Sequence, residues 1–243
     1  MNSMVKDNLS TLRTRIIRSC EKSNRDVSDV KILLATKTVP AEKILLAFAE
    51  GETLIGENKV QELKEKHEVL SAVPHQSHFI GHLQTNKIKD VLKYAECIQS
   101  VDRIDLAKKL DLQLRKEGRK LDIMLQINTS LEESKFGVNP ADAICFAKSI
   151  SHFDTLNVTG LMTIGLFSAN ASEVRKCFQL LKQLYMEIDA LKLANFDLRE
   201  LSMGMSDDLE IAIEEGATII RIGTALFGDR IYPDSYYWNE KTK

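Results

Sequence analysis

Short runs of β-branched and apolar residues alternate with longer segments of helical periodicity from Lys31 onward. This alternation predicts repeated βα units around a parallel sheet, because parallel strands need long crossover connections that are usually helices. Eight such runs occur, at residues 32–36, 53–56, 78–81, 97–101, 122–128, 158–163, 200–203 and 218–222. Eight strands with eight crossovers favour an α/β fold that closes into a single (β/α)8 TIM barrel.

The segments between these runs carry apolar residues at helical spacing, at residues 41–50, 104–117, 140–151, 171–193 and 207–215. An extra N-terminal helix is predicted over residues 5–17, with one apolar face made of Val5, Leu9, Leu12 and Ile16. The segment weakly resembles an organellar transit peptide, but the acidic Asp7 and Glu21 favour an ordinary leading helix.

One domain over residues 1–243 is expected, because no Pro/Gly/Ser-rich linker, charge block or low-complexity stretch marks a boundary. About twenty residues follow the eighth run, which is too few for a second domain of usual size. A doubly wound open sheet uses the same alternation and stays an alternative, although no GxGxxG motif follows the first run.

Composition narrows the classes of function. A net charge of −2 provides no broad basic surface, so nucleic acid and membrane are not expected partners.

The four cysteines are far apart without a CxxC pair, which predicts neither zinc nor a disulfide framework. His78 and His82 are four apart in a strand-like segment, so no metal is predicted there. The apolar runs are too short to span a bilayer and no secretory signal is evident, so a cytoplasmic protein is expected.

Polar residues close the strand patterns, and in a βα barrel the functional groups gather at those ends. Lys37 follows the first apolar run, where its amine would point into the barrel mouth among desolvating neighbours. A lysine so placed can form an imine with an aldehyde. The alternative is that Lys37 caps the strand and reaches solvent, since lysine is almost never buried without a partner.

The loops after strands seven and eight suit a phosphate, as is common in this fold. Ser202 and Ser206 supply two hydroxyls before a helix that begins near Asp207. Gly223 and Thr224 add bare backbone N–H groups and a third hydroxyl. Ser206 is also a favoured type of helix N-cap, and the two roles can coexist.

Arg221 ends the eighth run. If Ile220 and Ile222 pack outward against helices, Arg221 points inward, where an unpaired charge is costly and a ligand atom is a natural partner. An internal salt bridge to Glu57 is the alternative. An amine, a phosphate cup and an inward arginine together describe a pocket for pyridoxal 5′-phosphate, held as a Schiff base on Lys37. Because arginine keeps its proton, the pyridine nitrogen would stay largely unprotonated and the ring would be a weak electron sink.

Seven motifs follow one another along nearly the whole chain: LLATKT at 33–38, GENKVQE at 56–62, HFIGHLQTNK at 78–87, NTSLEESKFG at 128–137, GLMTIG at 160–165, LSMGMSDD at 201–208 and RIGTALFG at 221–228. With these motifs the chain resembles the YggS/PROSC family of pyridoxal phosphate homeostasis proteins, relatives of the alanine racemase barrel. The resemblance implies the fold-type III arrangement of pyridoxal phosphate proteins.

The resemblance also assigns residues. Lys37 matches the Schiff-base lysine and Arg221 the arginine that faces the pyridine nitrogen. The phosphate cup matches Ser202, Gly223 and Thr224, with Met203 and Ser206 at its border. Asn58 matches an asparagine near the cofactor, and the mouth is lined by His82, Gln84 and Asn86. No residue is assigned a catalytic role. Lys135, in the fifth strand's loop, is expected to pair with Glu132 rather than to contact a substrate.

The resemblance implies a carrier or buffer of pyridoxal phosphate in vitamin B6 homeostasis, without robust catalysis and as a monomer or weak dimer. Apo enzymes that use the cofactor are the expected recipients. The leading alternative is an amino-acid racemase of low activity, which needs a second base besides Lys37. A Schiff-base aldolase barrel would carry its lysine on strand six, and residues 158–165 contain none. A pure interaction module leaves the polar strand ends unexplained.

Overall fold

Eight parallel strands close into a barrel in the computed structural model, which describes residues 2–228. The strands are β1 Lys31–Ala35, β2 Leu54–Glu57, β3 Gln76–Phe79, β4 Cys97–Val101, β5 Leu121–Gln126, β6 Leu156–Met162, β7 Phe196–Ser202 and β8 Ile219–Ile222. Each strand pairs with its neighbours in the chain, and β1 pairs with β8 through registers such as Leu33 with Arg221. The closed barrel confirms the predicted fold class, and the open-sheet alternative is wrong.

Helices fill the connections between strands, as the sequence predicts. They are α1 Asn2–Lys22, α2 Ala41–Ala49, α3 Val60–Leu70, α4 Ile88–Val91, α5 Ile104–Glu117, α6 Ala143–Ile150, α7 Ala171–Ala190, α8 Leu209–Glu214 and α9 Thr224–Phe227. Shorter 3-10 turns occupy Val27–Asp29, Thr85–Lys87 and Pro140–Asp142. No helix in this part of the chain combines the length and the apolar character needed to cross a membrane.

The extra N-terminal helix is confirmed and is longer than its predicted core. Its apolar face, which is Val5, Leu9, Leu12 and Ile16, is buried against α2, α8 and α9. Burial of one such side chain stabilises the fold by about 1.5–3 kcal/mol. The helix therefore packs on the outside of the barrel, at the seam where its first and last βα units meet.

Two apolar layers follow from the alternation of side chains along each strand. The inner layer fills the barrel with Leu33, Cys97, Met124, Met162 and Ile219. The outer layer lies between the strands and the helices and contains residues such as Leu34, Ile55, Ile98, Ile220 and Ile222. The polar ends of the strands therefore meet above the inner layer, at the mouth.

Most strand boundaries lie within two residues of the predicted ones, and the start of β7 and the end of β3 have identifiable causes. β7 begins four residues before the predicted run, because the exposed Asp197 and Arg199 interrupt its apolar pattern. β3 ends two residues before Gly81, which lies so close to Asn58 that a Cβ there would meet the Asn58 carbonyl at 2.1 Å. The aromatic residues near the C-terminus, Tyr232, Tyr236, Tyr237 and Trp238, lie outside the described residues.

Candidate functional site

Lys37 occupies a tight turn at the carboxyl end of β1. The Val39 N–H donates to the Thr36 carbonyl over 2.9 Å, so residues 36–39 form a β-turn with Lys37 at its second position. Thr38, at the third position, has φ of +64°, the backbone sign of a type II turn. Lys37 is half-buried and Thr36 is fully buried. The turn thus fixes the backbone of the predicted Schiff-base lysine at the barrel mouth.

Glu57, at the end of β2, is fully buried. Its Oε1 accepts hydrogen bonds from the Thr36 hydroxyl and from Lys66 Nζ, each at 2.6 Å. Burial raises the pKa of Glu57 to about 7, although the attraction of Lys66 opposes this shift. Its Oε2 has no hydrogen-bond partner among residues 2–228, which agrees with a carboxyl group that gains a proton readily.

Arg221 points into the barrel, as the outward packing of Ile220 and Ile222 requires. Its guanidinium donates to the Ser202 hydroxyl over 2.9 Å and to the Thr163 carbonyl over 2.7 Å. Burial lowers the pKa of Arg221 to about 10, and the attraction of Asp208 partly offsets this effect. The suggested salt bridge from Arg221 to Glu57 is wrong. The Glu57 side chain lies on the outer side of the barrel wall, where it pairs with Lys66 of α3.

A chain of buried polar side chains continues from Arg221 across the barrel. Ser202, which accepts from Arg221, donates to Gln99 Oε1 over 2.7 Å, and Gln99 Nε2 lies 2.7 Å from His78 Nδ1. Burial lowers the pKa of His78 to about 4, so its neutral ring accepts that bond. The single proton of the Ser202 hydroxyl is therefore donated to Gln99, and the predicted place of Ser202 in the phosphate cup remains a prediction.

The phosphate-cup residues after β7 and β8 do meet in space. Ser206 Oγ accepts from the Ala225 N–H and from the Thr224 hydroxyl, both at 3.2 Å. A Cβ on Gly223 would lie 3.4 Å from the carbonyl of Ala35, which puts Gly223 beside the end of β1. Ser206, Gly223 and Thr224 thus form one hydroxyl-rich corner next to the Lys37 turn.

Two details of this corner differ from the predictions. Ser206 does not cap α8, because the capping position is Asp208; Ser206 instead satisfies a backbone N–H in the first turn of α9. The Met203 side chain is buried in the outer apolar layer, so only its backbone can border the cup. Alternation explains this, since Met203 follows the inward-facing Ser202.

The predicted mouth residues are brought together in part. Asn58, His82 and Gln84 line one cavity of about 210 Å³, whereas Asn86 is exposed and is not among its lining residues. The His82 ring stacks on Phe136 with centroids 3.9 Å apart. Lys135 pairs with Glu132, as expected, and also donates to the Gly165 carbonyl over 2.8 Å.

Sequence reasoning missed Lys66, Glu62 and Gln99. Lys66 lies one turn from both Leu63 and Leu70, the buried residues of α3, and a lysine on the apolar face of a helix is a sign of a buried ion pair. Gln99 is the central residue of β4, in which all five residues are buried. A polar side chain in such a strand signals an internal hydrogen-bond network.

The donor set of the mouth fits a phosphorylated aldehyde. It offers a primary amine at Lys37, neutral donors at the corner of Ser206, Gly223 and Thr224, and a buried arginine whose hydrogen bonds go to neutral oxygens. Among the described residues no carboxylate forms a salt bridge with Arg221. A buried cation held only by neutral groups retains the capacity to bind an electron-rich ligand atom.

Comparisons with known proteins agree with this chemistry. Residues 8–231 match the alanine racemase N-terminal domain. A pyridoxal phosphate homeostasis protein of Aquifex aeolicus is 40% identical over 226 residues, covering 93% of this chain and 98% of that protein. The structure of PipY from Synechococcus elongatus with pyridoxal phosphate bound is 33% identical, with a TM-score of 0.80, covering 92% of this chain and all of that one. An alanine racemase of Clostridium difficile shares the fold, with 15% identity, a TM-score of 0.72 and coverage of 96% and 57%.

Proposed function

Because this chain belongs to the family of pyridoxal phosphate homeostasis proteins, we propose that it binds pyridoxal phosphate in the barrel mouth and acts in vitamin B6 homeostasis. The observation that carries this proposal is Arg221, a fully buried cation whose partners at the mouth are a hydroxyl and a carbonyl. Such a group needs an electron-rich partner, and the pyridine nitrogen of the cofactor provides one.

Each of the other predicted site residues would contact or border a different part of the cofactor. Lys37 would supply the amine that attaches the aldehyde carbon covalently. Ser206, Gly223 and Thr224 would hold the phosphate with hydroxyl and backbone donors. Ser202 would act on the ring indirectly, because its hydroxyl orients Arg221. Asn58, His82 and Gln84 would border the entrance, since Asn58 follows the carboxyl end of β2 and the other two follow that of β3.

A carrier or buffer is favoured over an enzyme by the same arginine. Pyridoxal phosphate supplies an electron sink that is strongest when its pyridine nitrogen is protonated. With a pKa of about 10, Arg221 keeps its own proton at neutral pH and presents a donor that does not transfer it. The site therefore holds the cofactor without promoting fast carbanion chemistry.

The remaining parts of the proposal concern the setting. Apo enzymes that need pyridoxal phosphate are the recipients, and the protein works in the cytoplasm as a monomer or weak dimer. Three of its cysteines are buried as free thiols, a state that suits a reducing compartment.

The test is the absorption spectrum of the protein incubated with pyridoxal phosphate, recorded before and after borohydride, followed by mass spectrometry of the Lys37 peptide. We expect a yellow protein that carries a phosphopyridoxyl group on Lys37. Lys37→Ala should abolish the labelling, and Lys120→Ala, at an exposed lysine, should leave it intact. A protein that stays colourless and unlabelled would refute the proposal.

Racemisation is tested separately with the loaded protein. Incubation with L-alanine in heavy water, followed by chiral chromatography, should show little D-alanine over hours. Turnover at ordinary enzymatic rates of about 1–1,000 per second, lost in Lys37→Ala, would favour the racemase alternative.

A further inference from the structure

The turn that carries Lys37 has a backbone conformation that its sequence does not favour. Its third position has a φ of +64° and is occupied by Thr38. Glycine or asparagine normally fills this place, because a β-branched residue is crowded at positive φ. The Thr38 side chain is exposed, so contacts elsewhere must hold the turn in this conformation.

Two side chains of α3 provide those contacts. Glu62 Oε2 accepts the Thr38 N–H over 2.6 Å, and Lys66 Nζ donates to the Thr36 carbonyl over 2.8 Å. The bonded groups lie immediately before and after Lys37 in the chain. The backbone on both sides of the lysine is therefore tied to the same helix.

Lys66 is fully used by this arrangement. Besides the Thr36 carbonyl, it donates to Glu57 Oε1 at 2.6 Å and to Glu62 Oε2 at 2.9 Å. An ammonium group has three N–H donors, so none is left for a ligand. The Lys66 side chain is 12% exposed.

The three charged residues lie behind the barrel wall. A Cβ on Gly56 would collide with the inner-layer residue Leu33, so Gly56 faces the barrel and Glu57, the next residue, faces the helices. The Thr36 hydroxyl donates to Glu57 and thereby ties the end of β1 to the same group. Glu57, Glu62 and Lys66 thus support the Lys37 turn from the outer side of the barrel wall, which faces the helices.

We propose that Glu57, Glu62 and Lys66, here called the clamp, are positioning residues that fix the direction of the Lys37 amine in the barrel mouth. The proposal rests on the proposed attachment of pyridoxal phosphate to Lys37. Covalent capture requires the amine within a narrow range of distance and angle from the aldehyde carbon, and a misplacement of about 1 Å can slow such a step by about 100-fold. The clamp supplies this precision without touching the ligand.

Glu62→Ala tests the clamp, because it releases the Thr38 N–H and leaves Lys66 paired with Glu57. Two ligands are compared: pyridoxal phosphate, which can attach to Lys37, and pyridoxine phosphate, which has an alcohol in place of the aldehyde. We expect capture of pyridoxal phosphate, followed by stopped-flow absorbance, to slow by about 10-fold or more. The Kd of pyridoxine phosphate should change by less than about 2-fold, since the phosphate corner and Arg221 are intact.

Two further variants complete the experiment. Glu62→Gln keeps an acceptor oxygen for the Thr38 N–H, so it should restore most of the capture rate. Glu65→Ala, on the exposed side of the same helix, should behave as the wild type. If the role of Glu62 is purely structural, Glu62→Ala should weaken the binding of both ligands together. Glu62→Gln should then fail to restore the capture rate.

The outcomes separate the clamp from the proposed function. If wild-type protein is not labelled at Lys37, the proposed function fails and the clamp fails with it. If wild type is labelled at Lys37 and Glu62→Ala captures the cofactor at the same rate, the function stands and the clamp proposal is overturned.

Discussion

Two buried cations support the barrel mouth, and their surroundings differ. Lys66, behind the wall, donates to two carboxylates and one carbonyl. Arg221, inside the barrel, donates to a hydroxyl and a carbonyl. The first cation has its charge neutralised by the protein, whereas the second is left with neutral partners.

This difference distinguishes a cation that stabilises the fold from a cation that can bind a ligand. A buried ion pair satisfies its members and leaves little for a ligand, and its loss is costly because a charge remains buried without a partner. A buried cation among neutral groups costs stability and keeps its affinity for an incoming electron-rich atom. Changes at Lys66 should therefore act first on folding, and changes at Arg221 first on binding.

The largest effect is expected for Lys66→Met. The substitution leaves the carboxyl groups of Glu57 and Glu62 without their shared cation, and breaking a buried pair costs roughly 3–5 kcal/mol. The free energy of unfolding, from urea titration at pH 8, should fall by about that amount. Lys64→Met, at an exposed site on the same helix, is the control. A loss of unfolding free energy below about 1 kcal/mol would show that Lys66 stabilises the fold no more than Arg221 does.

Protonation of Glu57 gives the second test. The folded protein raises the pKa of Glu57 from 4.5 to about 7, so between these values the folded state holds a proton that the unfolded chain releases. Glu57 therefore contributes stability that is complete below pH 4.5 and is lost as the pH rises through 7. The shift corresponds to a free energy on the order of 3 kcal/mol.

Glu57→Gln should remove this pH dependence. Between pH 5 and pH 8 the wild type should lose unfolding free energy relative to Glu57→Gln, by up to about 3 kcal/mol. Urea titrations at several pH values measure the difference, and Glu68→Gln, on an exposed part of α3, should run parallel to the wild type. Parallel curves for Glu57→Gln as well would contradict a carboxyl group that gains a proton on burial.

The third test replaces Arg221 by glutamine. Without the guanidinium, the Kd for pyridoxal phosphate should rise by about 10- to 100-fold, or about 1.4–2.8 kcal/mol. The unloaded protein should keep its unfolding free energy to within about 1 kcal/mol, because a buried charge without a carboxylate partner is removed. Equilibrium dialysis and urea titration measure the two quantities, with Arg199→Gln, an exposed arginine of β7, as control. If Arg221→Gln lowers the free energy of unfolding and leaves the Kd for pyridoxal phosphate unchanged, Arg221 is a structural residue and the comparison with Lys66 fails.

The sequence predicted the Arg221 region better than the Lys66 region, for a physical reason. Strand alternation is a local property, so the run ending in Ile220, Arg221 and Ile222 fixes which side chain points inward. The bond from Lys66 to Thr36 joins residues 30 apart in the chain. Such a contact depends on how α3 lies against β1, which no local period encodes.

The same limit applies to the fold. All eight strands were predicted because each carries an apolar run of its own, whereas the start of β7 was missed where Asp197 and Arg199 interrupt that run. The bond that Ser206 accepts from the Ala225 N–H was missed because Ala225 belongs to α9, 19 residues further along the chain. Polar networks of this kind are determined by tertiary contacts, so the sequence indicates the residue types and leaves their partners open.

The smallest effect is expected at Thr38. Near Arg221 the positive φ of +90° falls on Gly204, where the conformation carries no Cβ penalty. At the clamp the positive φ falls on a threonine, so Thr38→Asn should raise the free energy of unfolding by about 0.5 kcal/mol and Tm by about 1–2 °C. Calorimetry measures the change, and Thr38→Val, which keeps the β-branch, should gain nothing. Gly204→Asn should destabilise instead, because a Cβ there would lie 2.4 Å from that of Ala212. Equal responses at the two positions would mean that the clamp holds no strained turn, since only a conformation that the residue itself disfavours can be relieved by exchanging that residue.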